Sequence, residues 1–257
     1  MPEFKLGCIR DKFDIRDYLF RAIAPPRVVL PSEVDLRTTG FVTPIRNQNG
    51  IGSCTAFSTT ALKEYVERQR GWKRAPKHLS PLFMYYEARK LGGFPVTDDT
   101  GSHIRDAMKV LDHMGVPSDK SWPYDVSKFS EDPPAKADRG ALMHRINTYN
   151  RVRGLQEMKE CLASGKPFVL GFLVFNSFYN TENMAQGNMP MPVDNEGYVG
   201  GHAVFCTSFK DEVGWPGGGF LTIKNSWGDV HDKGYFRMPY EFANDSNKVW
   251  DCWTCTS

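Results

Sequence analysis

The sequence has no hydrophobic run long enough to cross a membrane and no excess of charge of either sign. Its longest apolar run, Pro167 to Phe175, is much shorter than the roughly 20 residues of a membrane-spanning helix. The 257 residues include 32 basic and 30 acidic side chains, a balance that offers little attraction for nucleic acid or an anionic membrane. We therefore expect no membrane span and no nucleic-acid partner, and we expect a monomer.

Motifs for metals and cofactors are also missing. The sequence contains no HExxH, no phosphate-binding P-loop and no GxGxxG. Five of the six histidines lack the spacing of metal ligands, and these are His78, His103, His113, His144 and His231. We predict neither a metal site nor a cofactor.

Cysteine is too sparse for a disulfide scaffold in a chain of this length. The six cysteines are Cys8, Cys54, Cys161, Cys206, Cys252 and Cys255, and their pairing stays open. The last two have the spacing of a redox or zinc motif, but no second pair follows, so we interpret them as free thiols or a local disulfide. The N-terminus does not resemble a signal peptide. The compartment therefore stays open, and only a leader already removed would favour a secreted or extracytoplasmic protein.

The chain is helical in its first half and β-rich in its second, a pattern typical of an α+β protein. Apolar residues at helical spacing predict helices over 53–71, 80–92 and 102–115, and a short one near 155–162. β-Branched and aromatic runs predict strands over 168–175, 198–209, 220–224 and 235–238, with a long loop over 176–197. We predict an N-terminal extension (1–30), a mainly helical domain (31–148) and a mainly β domain (149–257).

Three residues of these two halves form a chemical pattern. Cys54 begins the first predicted helix, where the helix dipole lowers the pKa of a thiol and favours the nucleophilic thiolate. His202 lies 148 residues further on at a strand start, and Asn225 follows 23 residues later at a strand end. Each alone has an ordinary structural explanation, but the order Cys, His, Asn with this gap is typical of one class of cysteine peptidase.

Several segments strengthen that interpretation. They are Val34–Arg37, Val42–Gln48, Gly52–Cys54, Trp122–Tyr124 and Lys224–Gly228. Together they resemble the papain family of cysteine peptidases over roughly residues 31–240, most of all its bacterial members. The resemblance implies a helical N-terminal domain and a β-barrel-like C-terminal domain, with the active-site cleft between them. It also implies a polypeptide substrate.

The resemblance assigns a role to each matching residue. Cys54 would attack the scissile carbonyl, His202 would act as acid and base, and Asn225 would orient the imidazole. The amide of Gln48, with the backbone N–H of Cys54, would form the oxyanion hole. Trp227 would cover the bond between His202 and Asn225.

Subsites follow from the resemblance with less support. Gly101 and Ser102 resemble the pair that binds an extended substrate backbone. Four further residues would border the main specificity pocket, although plain packing explains them equally well; they are His103, Ile104, Gly171 and Gly201.

The sequence departs from the family pattern at several positions. Ile51 replaces a disulfide cysteine, Thr55 replaces an aromatic residue after the nucleophile, and Gly201 replaces the usual Asp or Asn before the histidine. The N-terminal extension is far shorter than the family's propeptide. These changes leave every catalytic group present, so they bear on specificity, rate and activation rather than on the chemistry.

Two questions about function stay open at this point. We predict a thiol endopeptidase, and the alternatives are a catalytically silent peptide-binding relative and an acyl transferase or peptide ligase that uses the same thioester. We also predict that part of residues 1–30, which form a strap or short pro-segment, packs on the body and crosses the cleft as a regulatory plug. A merely structural strap is the alternative.

Overall fold

The computed structural model describes residues 4–24, 29–72 and 75–257. Residues 1–3 and 25–28 of the predicted extension therefore lie outside the described residues. The helices are α1 (Cys54–Gln69), α2 (Pro81–Leu91), α3 (Ile104–His113), α4 (Ala135–Ala141), α5 (Gly154–Ala163), α6 (Thr181–Gln186), α7 (Val230–Lys233) and α8 (Tyr240–Ala243). No helix of the described residues is both long and apolar enough to cross a membrane.

The strands belong to two sheets. They are β1 (Cys8–Ile9), β2 (Glu33–Asp35), β3 (Ser102–His103), β4 (Thr148–Val152), β5 (Phe168–Phe175), β6 (Tyr198–Asp211), β7 (Gly219–Lys224), β8 (Tyr235–Pro239) and β9 (Val249–Thr256). The large sheet has the order β4-β9-β5-β6-β7-β8, and β2 pairs with β6. Its pairs are antiparallel. Within the described residues it stays open, so the expectation of a barrel-like domain needs correction to an open, seven-stranded sheet.

Helix α1 lies in the middle of the molecule. It contacts α2 and α3 on one side and β6 on the other, and its residues are buried from Cys54 to Glu67. Even its polar side chains find partners inside; the Lys63 ammonium, for example, donates to the Arg145 carbonyl at 2.7 Å. Ser53 precedes the helix, but its hydroxyl pairs with Tyr124 Oη at 2.7 Å and makes no helix-capping bond. Packing from both sides, rather than amphipathicity, therefore holds the helix that begins at Cys54.

Three strands of the large sheet escaped the sequence prediction, and they are β2, β4 and β9. Strands β4 and β9 pair with each other, with Thr148 opposite Thr256 at one end and Val152 opposite Cys252 at the other. Asp251 and Thr254 interrupt the apolar residues around Cys252 and Cys255, so this segment shows no clear strand pattern. All six cysteines are buried with free thiols, so the interpretation of this pair as free thiols is confirmed and the local disulfide is wrong.

The N-terminal residues from Phe4 to Ala24 pack across the body and form a strap. Its short strand β1 pairs in parallel with β3, in the register Cys8 with Ser102 and Ile9 with His103. Further along, Phe20 is fully buried in the core. The strap thus lies on the helical part and on the sheet at once. The division into domains at residue 148 stays a prediction.

A buried ionic cluster fixes the strap. Asp17 accepts from the Arg105 guanidinium through both oxygens, at 3.0 and 2.7 Å, and from Arg151 at 2.9 Å. Arg151 also pairs with Asp11 at 3.2 Å and with Asp251 at 2.7 Å. Because Arg105 lies in α3, Arg151 in β4 and Asp251 in β9, the strap carboxylates join three separate elements. We call these five residues the strap cluster.

Candidate active site

Cys54 is the first residue of α1 and is fully buried. Burial raises the pKa of its thiol to about 11. Backbone hydrogen bonds from Ala203 and Gly7 lower the pKa, but their effect is smaller than that of burial. Ala203 directly follows His202 in β6, and Gly7 belongs to the strap. The thiol therefore lies between the strand that carries the histidine and the N-terminal segment.

His202 and Asn225 form a buried pair at the edge of β6 and β7. The imidazole Nε2 is 2.8 Å from Asn225 Oδ1, and the same oxygen accepts the backbone N–H of Ser226 at 2.9 Å. A backbone N–H can only donate, so this atom is the amide oxygen and His202 Nε2 carries the proton. In the neutral ring, Nδ1 is then the basic nitrogen. It has no hydrogen-bond partner among the residues described here.

Trp227 covers this pair. Its ring stacks on His202 with centroids 4.6 Å apart, and it is itself buried. Tyr179 lies parallel to it at 6.0 Å, and Phe178 meets it edge-on at 5.9 Å. Both aromatic residues come from the stretch predicted as a long loop, which here contains α6 and a short turn of helix before it. This stretch therefore helps to keep water from His202.

Gln48 is a fully buried amide held from several directions. Its side-chain oxygen accepts the Ser226 hydroxyl at 2.7 Å, and its backbone N–H donates to the Ser226 carbonyl at 2.8 Å. Its Nε2 donates to the Ile51 carbonyl at 3.0 Å and to the Lys5 carbonyl of the strap at 2.9 Å. Both amide protons are thus in use, and one of them holds a peptide carbonyl.

The strap passes directly over these residues. Phe4 stacks on Trp227 at 4.7 Å between centroids, with only 3° between the ring planes. The Lys5 ammonium pairs with Asp99 at 2.7 Å, and the Gly7 carbonyl accepts the Ser102 backbone N–H at 2.9 Å. Gly7 touches Gly52 and Gly101 so closely that a Cβ on it would collide with the Gly52 carbonyl. Backbone, rather than a bulky side chain, therefore lies beside the nucleophile.

Comparison with known proteins agrees with this geometry. The sequence profile described as "Papain family cysteine protease" matches residues 30–249. The chain belongs to the papain family of cysteine proteases. A crystal structure of xylellain, a cysteine protease from Xylella fastidiosa, is similar to this papain-family chain with a TM-score of 0.85 and 34% sequence identity. The similarity covers 99% of this chain and 97% of the xylellain chain.

Curated relatives show the same family relationship. An uncharacterized peptidase C1-like protein of Acanthamoeba polyphaga mimivirus is 31% identical over 95% of this chain and 80% of its own length. The thiol protease aleurain of Arabidopsis thaliana is 30% identical over 81% of this chain. The match covers only 56% of aleurain, so this chain spans little more than half of that plant relative.

The electrostatic state of this papain-family site differs from the sequence prediction. We expected the start of α1 to lower the pKa of the Cys54 thiol, but burial raises it instead. Burial also lowers the pKa of His202 to about 4, while the hydrogen bond that His202 donates to Asn225 acts in the opposite direction. With the strap in place, burial therefore favours the neutral thiol and the neutral imidazole, against the predicted thiolate. The strap removes the water that would stabilise an ion pair.

The predicted subsite residues divide into three groups. Gly101 and Ser102 line the strap backbone, and the Thr55 and Ser102 hydroxyls are hydrogen-bonded to each other below it. His103 Nδ1 lies 3.1 Å from the Ile9 carbonyl, whereas Ile104 is fully buried in the core. Gly171 and Gly201 lie against Cys8 of the strap.

Sequence reasoning missed the residues that support these groups. Tyr124 was noted only as part of a family segment, yet its hydroxyl bridges Ser53 and the Gln48 carbonyl. Asp99 accepts the Gly52 backbone N–H at 3.0 Å as well as the Lys5 ammonium. Neither residue carries a local sequence signal, because each acts through a contact with a distant segment.

Proposed function

We propose that this protein hydrolyses peptide bonds with Cys54 as the nucleophile, and that the strap keeps the enzyme closed until it is displaced. The observation that carries the proposal is the bond from Gln48 Nε2 to the Lys5 carbonyl. A peptide carbonyl already occupies the candidate oxyanion donor, next to the fixed pair of His202 and Asn225. A site that binds a peptide backbone in this way is suited to polarise a scissile carbonyl.

The first half of the reaction follows from the tautomer of His202. With the strap displaced, Nδ1 accepts the thiol proton of Cys54, and the sulphur attacks the substrate carbonyl carbon. Gln48 Nε2 and the backbone N–H of Cys54 stabilise the developing oxyanion. One such donor typically contributes about 3–4 kcal/mol to lowering the barrier. His202 then protonates the leaving amine, and a thioester on Cys54 remains.

The second half returns the enzyme to its starting state. Water attacks the thioester while His202 takes one of its protons, and the acid product leaves as Cys54 regains its thiol. Trp227 shields the bond from His202 to Asn225 through both halves, which holds the ring in one tautomer.

Displacement of the strap is the step that this mechanism requires. Cys54 and His202 are fully buried while the strap is in place, so neither substrate nor water reaches them. Removal of the strap would restore solvation, and solvation favours the charged pair of thiolate and imidazolium. The contacts of Phe4, Lys5 and Gly7 therefore support a regulatory role for the strap over a merely structural one.

One experiment tests both parts of the proposal. The wild type, Cys54→Ala and Phe4→Ala are each incubated with a thiol-directed epoxide and with an unfolded protein. We expect slow labelling at Cys54 and slow cleavage by the wild type, through transient displacement of the strap, none by Cys54→Ala, and faster labelling and cleavage by Phe4→Ala. Phe13→Ala is the matched control, because Phe13 lies in the same strap but is 83% exposed.

The outcomes separate the candidate functions. Labelling without cleavage products would favour the silent peptide-binding relative. Joined peptides in the presence of an added amine would favour the acyl transferase. If Phe4→Ala behaved like Phe13→Ala, the strap would be structural only.

A further inference from the structure

The side chain of Cys8 fills a small pocket next to the nucleophile. A methyl group added to Gly171 would lie 2.9 Å from the Cys8 sulphur, and one added to Gly201 would collide with the Cys8 carbonyl. The two glycines thus form walls with no side chain of their own. Gly171 in β5 pairs with Trp250 in β9, which brings the indole to the same pocket.

Trp250 closes the pocket. Its Nε1 would be 2.8 Å from a Cβ on Gly171, and its Cζ2 would be 3.2 Å from a Cβ on Gly201. The residue is only 9% exposed, and the Arg10 guanidinium lies 5.7 Å from its ring centroid. The space between the two glycines and the indole is therefore taken up by a side chain no larger than cysteine.

Apart from its contact with the Cys8 thiol, the indole N–H of Trp250 has no hydrogen-bond partner within the described part of the chain. It lies near the Cys8 thiol and lowers the pKa of that group, against the larger and opposite effect of burial. Sulphur is a weak acceptor, so this contact leaves the donor largely unsatisfied. Buried donors in proteins are almost always paired, so a donor this weakly satisfied beside the groove is available to a ligand that brings an acceptor.

The position of the pocket connects it to substrate. Gly7, the residue before Cys8, donates to the Cys54 thiol, and the Cys8 backbone pairs with Ser102. A peptide that replaces the strap along this path places one of its side chains where Cys8 now lies. The pocket then selects that side chain.

We propose that Trp250 is a specificity-determining residue, and that the pocket takes a small side chain with an oxygen acceptor, serine or threonine, in preference to alanine and to leucine or phenylalanine. Glycine at positions 171 and 201 lets the backbone approach, and the indole sets the depth and provides the donor. This inference rests on the proposed peptidase function.

The first test is a cleavage profile of the full-length protein on a peptide library, read by mass spectrometry. In the wild type we expect one position near the cleaved bond to be enriched in serine and threonine and depleted in leucine and phenylalanine. Trp250→Ala should raise kcat/KM for leucine at that position at least tenfold. Trp250→Phe keeps the ring without the N–H, so it should lose the preference for serine over alanine and still exclude leucine. Trp215→Phe is the control, because the Trp215 N–H is bonded to Glu212 on the sheet surface.

A second test does not depend on cleavage. Cys8→Leu overfills the pocket, so alkylation of Cys54 by iodoacetamide should become at least tenfold faster, and adding Trp250→Ala should slow it again by making room. Active enzymes with an unchanged profile in both Trp250 variants would overturn this inference alone. Absence of cleavage by Cys8→Leu, in which the strap is displaced, as well as by the wild type would contradict the proposed peptidase function, and the alkylation rates would still decide whether Trp250 sets the size of the pocket.

Discussion

Gln48 makes five hydrogen bonds within the site, and only the one to Lys5 belongs to the strap. The other four fix the position of the residue whether or not the strap is present. A donor held in this way needs no rearrangement when charge develops on a substrate carbonyl, which is the condition for efficient stabilisation of an oxyanion.

Gln48→Ala should therefore act in opposite directions on two measurements. We expect kcat for a peptide substrate to fall by about 10²–10³, since one oxyanion donor is lost. The rate of Cys54 alkylation should rise, because the strap loses a hydrogen bond. Gln156→Ala on the exposed face of α5 serves as control and should change neither quantity. A parallel fall of both rates would indicate that Gln48 only supports the fold.

At the scale of elements, the long helices and strands of the body could be predicted well. Helix α1 and strands β5 to β8 show clear apolar patterns, and the observed ends differ from the predicted ones by a few residues at most. Strand β9 could not be recognised, because its polar residues Asp251, Thr254 and Thr256 interrupt the pattern and are satisfied only by tertiary partners. The path of residues 4–11 has no periodicity at all, since β1 contributes two residues and the rest is bound through backbone and single side chains.

The same lack of local signal explains the error at Cys54. The helix start and the identity of the residue are local properties, and both were predicted. The pKa of the thiol depends on its burial, and the strap residues that bury it lie about 50 positions earlier in the chain. Trp250 and Asp99 were missed for the same reason.

The strap cluster predicts how docking of the strap over the active site depends on pH. Burial, and next the nearby Asp251 carboxylate, raise the pKa of Asp11 from 3.8 to about 6. The charged and titratable groups that face Asp11 are Cys8, Asp17, His103, Arg105, Arg151 and Asp251. Between about pH 4 and 6, Asp11 therefore holds a proton when the strap is docked and loses it when the strap is free. Docking of the strap is then strongest below about pH 4 and weakens as the pH rises through 6.

Asp11→Asn imitates the protonated form and should remove this dependence. Between pH 4 and 7, docking of the wild-type strap should weaken by up to roughly 100-fold, since each pKa unit corresponds to a factor of ten. Hydrogen exchange of the backbone amides of residues 4–11 measures docking, with the variant as reference at each pH. The account fails if wild type and variant lose protection in parallel, or if the wild type gains protection as the pH rises.

At the scale of the whole molecule, the strap cluster ties the first residues of the chain to nearly the last. Arg151 is its centre: it pairs with Asp11, Asp17 and Asp251 and lies 4.3 Å above the Trp253 ring. Each of these carboxylates is at most 8% exposed, so removal of the guanidinium would leave buried negative charge without its partner. Strands β4 and β9 and the strap meet at this one side chain, and α3 joins them through the pair of Arg105 and Asp17.

Arg151→Ala should therefore be strongly destabilising. We expect the free energy of unfolding to fall by about 3–5 kcal/mol, the usual cost of breaking a buried pair by removing one partner. Urea unfolding followed by circular dichroism measures the loss. Arg153→Ala, two residues away and exposed, should cost less than about 0.5 kcal/mol. Equal midpoints for the two variants would show that the cluster is dispensable.

The bond between Gln48 and the Lys5 carbonyl has a consequence for how latency can change among related enzymes. One amide proton is needed by the closed state and by the reacting state, so a substitution of Gln48 cannot relieve inhibition without also impairing hydrolysis. Phe4 and Lys5 have no such second role, so we expect changes at these two residues to alter closure of the site alone. Lineages that need a more or less latent enzyme are therefore expected to vary in the strap while keeping the glutamine.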